Sequence, residues 1–235
     1  MANTLRVMST LAVELALKRS ILPDWMEGGH NVQVFWNPTS ILIDKVREGA
    51  RSDVLIAIDE PTNSLAADGI LRVDTVRPIA QAGFGVGVLA GGAIPDITTI
   101  DAFKSAVINA RSIAYSLTGA SGRHFLDVIE QLGIGDEVKR KAIGVPAGFT
   151  AQKIISGEAD MAIQQISELM VVDGIHIAGP FPGELQKRTD FSAAVFAEAA
   201  DVDAALAFIE FLTSPSSALA FSRYGLVSLQ SPVVA

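Results

Sequence analysis

The chain has 235 residues, no cysteine, 49% apolar and 19% charged residues, and a formal net charge of −8. This composition excludes a disordered polymer, a disulfide scaffold and any thiol nucleophile or thiolate metal site. The acidic balance excludes a nucleic-acid partner, since binding phosphates requires a basic face.

The first residues, MANTLRVMST, have neither the basic start nor the apolar stretch of a secretory leader. A periplasmic location is expected if a leader has been replaced by Met-Ala, and a cytoplasmic one otherwise. No run of about 18 apolar residues occurs, so no segment is expected to cross a bilayer. Leu5–Met8 reads as a short strand, and residues 11–27 carry helical periodicity through Val13, Leu15, Ala16 and Ile21. NVQVFW (31–36) alternates as a half-buried strand does. PTSILIDKVREG follows as a helix opened by Pro38 and two hydroxyls and stopped at Gly49. DVLIAID (53–59) is a continuous apolar run, the pattern of a strand covered on both faces. Strand, helix and strand at this spacing predict a mostly parallel, doubly wound α/β sheet.

GFGVGVLAG (83–91) alternates glycine with apolar residues, a strand placed where the chain passes between two halves. Its likeness to a dinucleotide fingerprint is superficial, because no helix start follows. A helix over Ile100–Asn109, a strand over 112–116 and an amphipathic helix carrying Phe125, Val128, Ile129 and Leu132 come next. Then come a loop, a helix and a strand over Met161–Gln165. A strand in 174–186 ends in a Pro/Gly loop, 191–197 is a further strand, and helices over 201–212 and 214–223 flank Pro215. There is no internal repeat, low-complexity tract or flexible linker.

The candidate chemistry sits at helix starts. Thr118–Gly122 supplies two hydroxyls and two glycines where one cap would suffice. The stretch is either a cap or a place for an anion, since a helix start leaves up to four N–H groups unpaired and carries about half a positive charge. Thr39 and Ser40 after Pro38 offer the same choice. Arg123 is placed either to pair with a carboxylate or oxyanion or to be solvated. His124 is either a general base or a structural residue. Lys45 reads as a solvated charge. Gln164, Gln165, Ser167 and Glu168 crowd the end of a parallel strand, where α/β proteins usually contact ligands. His30 and His176 have no metal-ligand spacing, so no metal is expected.

Four stretches in order, the turn Ser9–Val13, TSILIDKVREGARSDVLIA, ASGRHFLDVIEQLGI and ISGEADMAIQQISEL, resemble the molybdate-binding branch of type II periplasmic substrate-binding proteins, the receptors of ABC importers. The resemblance implies two α/β lobes, residues 1–80 plus 193–235 and residues 81–192, each a mostly parallel sheet flanked by helices. Two crossing strands would form the hinge, and a small oxyanion or organic carboxylate would bind in the cleft. The ligand loops it implies are Ser9, Thr10 and Ala12; Thr39 and Ser40; Ser121 and Gly122, with Arg123 beside them; Ala147 and Gly148; and Gln165. Ala12 stands where molybdate binders often carry serine, and Gln165 where they usually carry tyrosine. A monomer with no cofactor, partnered by an importer's membrane component, is the implied state. A few relatives of this architecture interconvert cis- and trans-aconitate by allylic proton transfer. That alternative requires a positioned base, for which His124 is the first candidate and Lys45 the second.

Overall fold

The computed structural model describes residues 4–229. From the N-terminus come β1 (Thr4–Ser9), a helical stretch over 11–27 that contains α1 (Glu14–Ala16) and α2 (Leu22–Glu27), β2 (Asn31–Trp36), α3 (Thr39–Arg47), β3 (Val54–Ile58) and α4 (Asp59–Ala67). The middle of the chain forms β4 (Arg77–Leu89), α5 (Ile100–Asn109), β5 (Ile113–Ser116), α6 (Ala120–Gln131), α7 (Gly135–Lys139), β6 (Ala142–Val145), α8 (Gln152–Ile155), β7 (Met161–Gln165) and α9 (Ile166–Leu169). It ends with β8 (Ile175–Pro180), β9 (Arg188–Val195), α10 (Val202–Leu212), α11 (Pro215–Arg223) and β10 (Leu226–Ser228). Two compact units result: Met1–Gln81 with Thr189–Ala235, and Ala82–Arg188.

In the first unit the strand order is β2-β1-β3-β9-β4. β1 is parallel to β2 and β3, with Ser9 opposite both Trp36 and Ile56, and β9 is antiparallel to β3. The apolar run of the third strand is explained by this central place, since Val54, Leu55, Ile56 and Ala57 are all fully buried. α3 lays Leu42, Ile43 and Val46 into the core with Met8, Leu55, Leu65 and Phe196. Each large aliphatic side chain buried there contributes about 1.5–3 kcal/mol.

The second unit has the order β4-β7-β5-β6, with β8 paired to β4. β5 is parallel to β6 and β7, while β4 is antiparallel to β7 and β8. α6 buries Phe125, Val128 and Ile129 against Phe84, Phe103, Ile163 and Phe181.

The structure moves several expected boundaries. The glycine-rich strand begins at Arg77, because its polar first residues pair within the first unit. Asp59 ends β3 one residue early and opens α4, a helix the sequence reading lacks; Pro61 in its first turn is compatible with helix. β6 was also not anticipated: four residues, only one of them buried, carry no clear period. Among the described residues no single helix is long and apolar enough to cross a membrane. α10 and α11 pass by length and composition only as a pair bent by 59°.

Candidate functional site

Parallel strands end on one edge of a sheet, so the turns and helices that follow them begin side by side. In the first unit the turn after β1 is pinned by the Thr10 N–H, which donates to the Ile56 carbonyl at 2.9 Å. Ser9 is fully buried and its hydroxyl donates to the Thr10 carbonyl at 3.2 Å; Ala12 is buried as well. After β2, the Thr39 hydroxyl accepts from the Ile58 N–H at 3.3 Å, which ties the start of α3 to the end of β3. No side chain caps α3. The Ser40 Oγ is buried and unpartnered.

In the second unit β5 leads into α6 through Leu117–Gly119. The Gly119 N–H donates to the Ser116 Oγ at 2.9 Å, and no side chain caps the helix. Ser121 is 2% exposed. Gly122 has a packing reason for its identity: a Cβ there would lie 1.6 Å from the Ser116 carbonyl oxygen. The helix therefore starts hard against the strand that delivers it. Arg123 is exposed, and its Nη1 donates to the Thr118 carbonyl at 2.8 Å.

The loop after β6 holds Ala147, exposed, and Gly148, whose φ of 86° lies in the left-handed region. Gln164 fastens this loop. Its Oε1 accepts from the Thr150 N–H at 2.8 Å and hydroxyl at 3.0 Å, and its Nε2 donates to the Gly148 carbonyl at 3.1 Å. At the end of β7, Gln165 is 4% exposed with an unpartnered Oε1, and Ser167 is fully buried with an unpartnered Oγ.

The helix starts differ in first-turn charge. The first turns of α4, α5, α7, α9 and α10 contain acidic residues. The 3₁₀ turn Leu11–Val13, α3, α6, the four-residue α8 and α11 contain none, and of these α11 is capped by the Ser214 side chain. Of the four buried side-chain polar atoms without a partner among the described residues, Ser40 Oγ, Gln165 Oε1 and Ser167 Oγ lie at strand ends; the fourth is Trp25 Nε1. Leaving such an atom unsatisfied costs about 1–3 kcal/mol, so the three at strand ends call for partners outside the chain. Among the described residues no group of three or more His, Cys, Asp or Glu side chains could hold a metal ion.

The two candidate bases lie differently. The His124 Nε2 donates to the Leu185 carbonyl at 2.7 Å, and the ring packs on Phe84 and Phe181 at centroid distances of 5.2 and 6.0 Å. Nδ1 is then the ring nitrogen left to accept a proton. Lys45 stands six residues beyond Thr39 in α3, about 9 Å along the axis, with its ammonium 5.7 Å from the Phe35 ring. The structure therefore does not bring Lys45 to the Thr39–Ser40 start. A pair absent from the candidate set is Glu14 and Lys18, an (i, i+4) ion pair just past the first turn whose ammonium lies 5.4 Å from the Trp36 ring. The spacing was the signal that could have found it.

Two α/β units threaded twice by one chain form the fold that periplasmic binding proteins share. The periplasmic molybdate-binding protein of Azotobacter vinelandii superposes with a TM-score of 0.80 at 18% identity, covering 95% of this chain and 98% of that one. A model of the bacterial extracellular solute-binding protein family matches residues 5–227, and the chain belongs to that family. It is similar to an aconitate isomerase of a Pseudomonas species, 32% identical over 176 residues, which is 74% of this chain and 67% of that protein. It is also similar to the molybdate-binding protein ModA of Azotobacter vinelandii, 23% identical over 202 residues, 84% of this chain and 79% of that protein.

Proposed function

We propose that the protein is a solute receptor that captures a small anion, an oxyanion or an organic carboxylate, on the open helix starts at its strand ends. The observations that carry this reading are the starts of α3 and α6, which have neither a side-chain cap nor an acidic residue, and the unpartnered buried atoms of Ser40 in α3 and of Gln165 and Ser167 at the end of β7. Open N–H groups and aligned dipoles hold an anion without a matching cation, which suits a chain of net charge −8. In the first unit Thr10, Thr39 and Ser40 add hydroxyls to the main chain at Ala12, with Ser9 holding the Thr10 carbonyl. In the second unit Ser121 and Gln165 add polar side chains to the main chain at Gly122, Ala147 and Gly148. A relative named for molybdate binding supports the oxyanion side. Periplasmic capture as a monomer that serves an ABC importer follows from the same reading.

A panel of molybdate, tungstate, sulfate, phosphate, citrate and the aconitates in a thermal-shift assay tests it. A ligand at 100 times its Kd stabilises the fold by about 2.7 kcal/mol. If Thr39→Ala and Ser121→Ala leave the binding of every anion unchanged, the site is misplaced.

A second reading is favoured by the 32% identity to an aconitate isomerase. Here the same amides stabilise charge that develops during allylic proton transfer, and Nδ1 of His124 is the candidate base. Lys45, the second by sequence, lies away from the start of α3 with its ammonium against the Phe35 ring. Incorporation of solvent deuterium at the allylic carbon of aconitate, followed by NMR, separates an isomerase from a receptor.

A further inference from the structure

Arg123 stands in the first turn of α6, the end of a helix that disfavours a cation. Among the described residues none of the ion pairs involves it. Its one hydrogen bond there, from Nη1 to the Thr118 carbonyl, holds the guanidinium over the β5–α6 turn and leaves its other nitrogens free. β5 and β7 are parallel neighbours, with Tyr115 opposite Ile163. Two residues further on, this turn and Gln165 therefore stand on the same edge. Gln165 and Ser167, both more than nine-tenths buried, keep unpartnered atoms on that edge.

The kinds of atom narrow the ligand. A guanidinium presents a planar fork that matches the two coplanar oxygens of a carboxylate. The free atom on Gln165 is an acceptor, and a fully ionised tetrahedral oxyanion brings only acceptors. Such an ion leaves Oε1 unsatisfied, whereas a hydroxyl or un-ionised carboxyl satisfies it.

We propose that this edge of the second unit is a subsite for an organic acid. The free guanidinium nitrogens of Arg123 and the open amides of α6 take one carboxylate. Gln165 and Ser167 take a neighbouring hydroxyl or un-ionised carboxyl of the same molecule. The inference rests on the anion reading above and narrows it from anions in general to acids that also carry a hydrogen-bond donor.

Titration calorimetry of the full chain with citrate, cis-aconitate, trans-aconitate and molybdate decides it. Citrate, which carries a hydroxyl, binds more tightly than the aconitates, which have none. Arg123→Gln weakens citrate about tenfold or more, Ser167→Ala weakens it about fivefold, and aconitate binding without citrate binding overturns the subsite. Arg123→Lys restores only part of the loss, because an ammonium lacks the fork. Tricarballylate, which is citrate without its hydroxyl, binds more weakly than citrate at neutral pH. An Arg123→Gln protein with unchanged affinity for the organic acid overturns the subsite, and so does binding of molybdate alone; both leave the anion reading standing. Binding of none of the four overturns both.

Discussion

α10 and α6 are of similar length and meet the same physical problem, a first turn of unpaired N–H groups, in opposite ways. At α10 the Asp201 side chain accepts from the Ala204 N–H at 3.0 Å, and Asp203 adds a negative charge in the first turn. α5 and α11 are closed similarly, by Thr99 and Ser214. At α6 the cap position is Gly119, the first turn has no acid, and Arg123 is added. α3 begins after Pro38 and is equally open. Starting at a strand end does not by itself leave a helix open. α4 follows β3 directly and also lacks a side-chain cap, yet its first turn carries Asp59 and Glu60, whose negative charge suits the helix start. The open starts of α3 and α6 therefore reflect the residues chosen for them, and those residues forgo stability that this chain supplies to α5, α10 and α11.

The largest expected effect comes from the closeness that makes the α6 start possible. Gly122→Ala places a methyl group 1.6 Å from the Ser116 carbonyl oxygen, a backbone atom that cannot rotate away. Overpacking of this severity costs about 3 kcal/mol or more. Urea denaturation should show the second unit destabilised, with Phe125 and its neighbours losing protection from hydrogen exchange. A substitution that left stability unchanged would mean that α6 stands off the strand and that its open amides are not held in place.

Much of this was readable from residue order. Period-2 alternation in NVQVFW and the apolar run of VLIAI gave β2 and β3 because one strand is half buried and the other buried on both faces. The helix over Ile100–Asn109 and the strand over Met161–Gln165 have the expected ends, since Thr99 caps one and the burial of Met161–Gln165 is continuous in the other. The site was only partly readable. Spacing reveals hydroxyls near a helix start, but it cannot reveal that Thr39 is spent on the Ile58 N–H while Ser40 is free. Nor does a sequence show that Gln164, rather than Gln165, fastens the 146–150 loop, because the assignment depends on which strand face each residue occupies. Gly122 illustrates the same limit: a glycine at a helix start suggests an open amide, and its collision distance comes only from long-range geometry.

Exchanging the two kinds of start sharpens the comparison at a middling scale. Asp201→Ala removes a cap and should lower stability by about 1 kcal/mol without altering anion affinity. Ala120→Glu puts an acid into the first turn of α6 and should raise the stability of the ligand-free protein by about 0.3–1 kcal/mol. The same substitution should abolish anion binding, because a fixed carboxylate then occupies the amides. Melting curves with and without a binding anion measure both consequences. Opposite signs in the two assays are the expected signature of a start kept open for a ligand, and loss of stability in Ala120→Glu would mean that α6 has no unmet demand for negative charge.

The smallest effect belongs to the closed side of the comparison, at the surface turn after α8. Glu158 accepts from the Lys153 ammonium at 2.8 and 2.9 Å and from the Ser156 hydroxyl at 2.8 Å. These contacts, Lys153 first, hold its carboxyl below the usual range. A carboxyl with a lowered folded-state pKa favours folding above its unfolded value, about 4.3, and that contribution fades as pH falls through the lower folded value. The stability difference between the wild type and Glu158→Gln should therefore be small and constant near neutrality and vanish in acid. It should also shrink in 1 M salt, because the pair is exposed. Addition of a bound anion should leave this difference untouched, since the turn already satisfies its own charges; a ligand-dependent change at Glu158 would show that closed ends respond to the ligand as well.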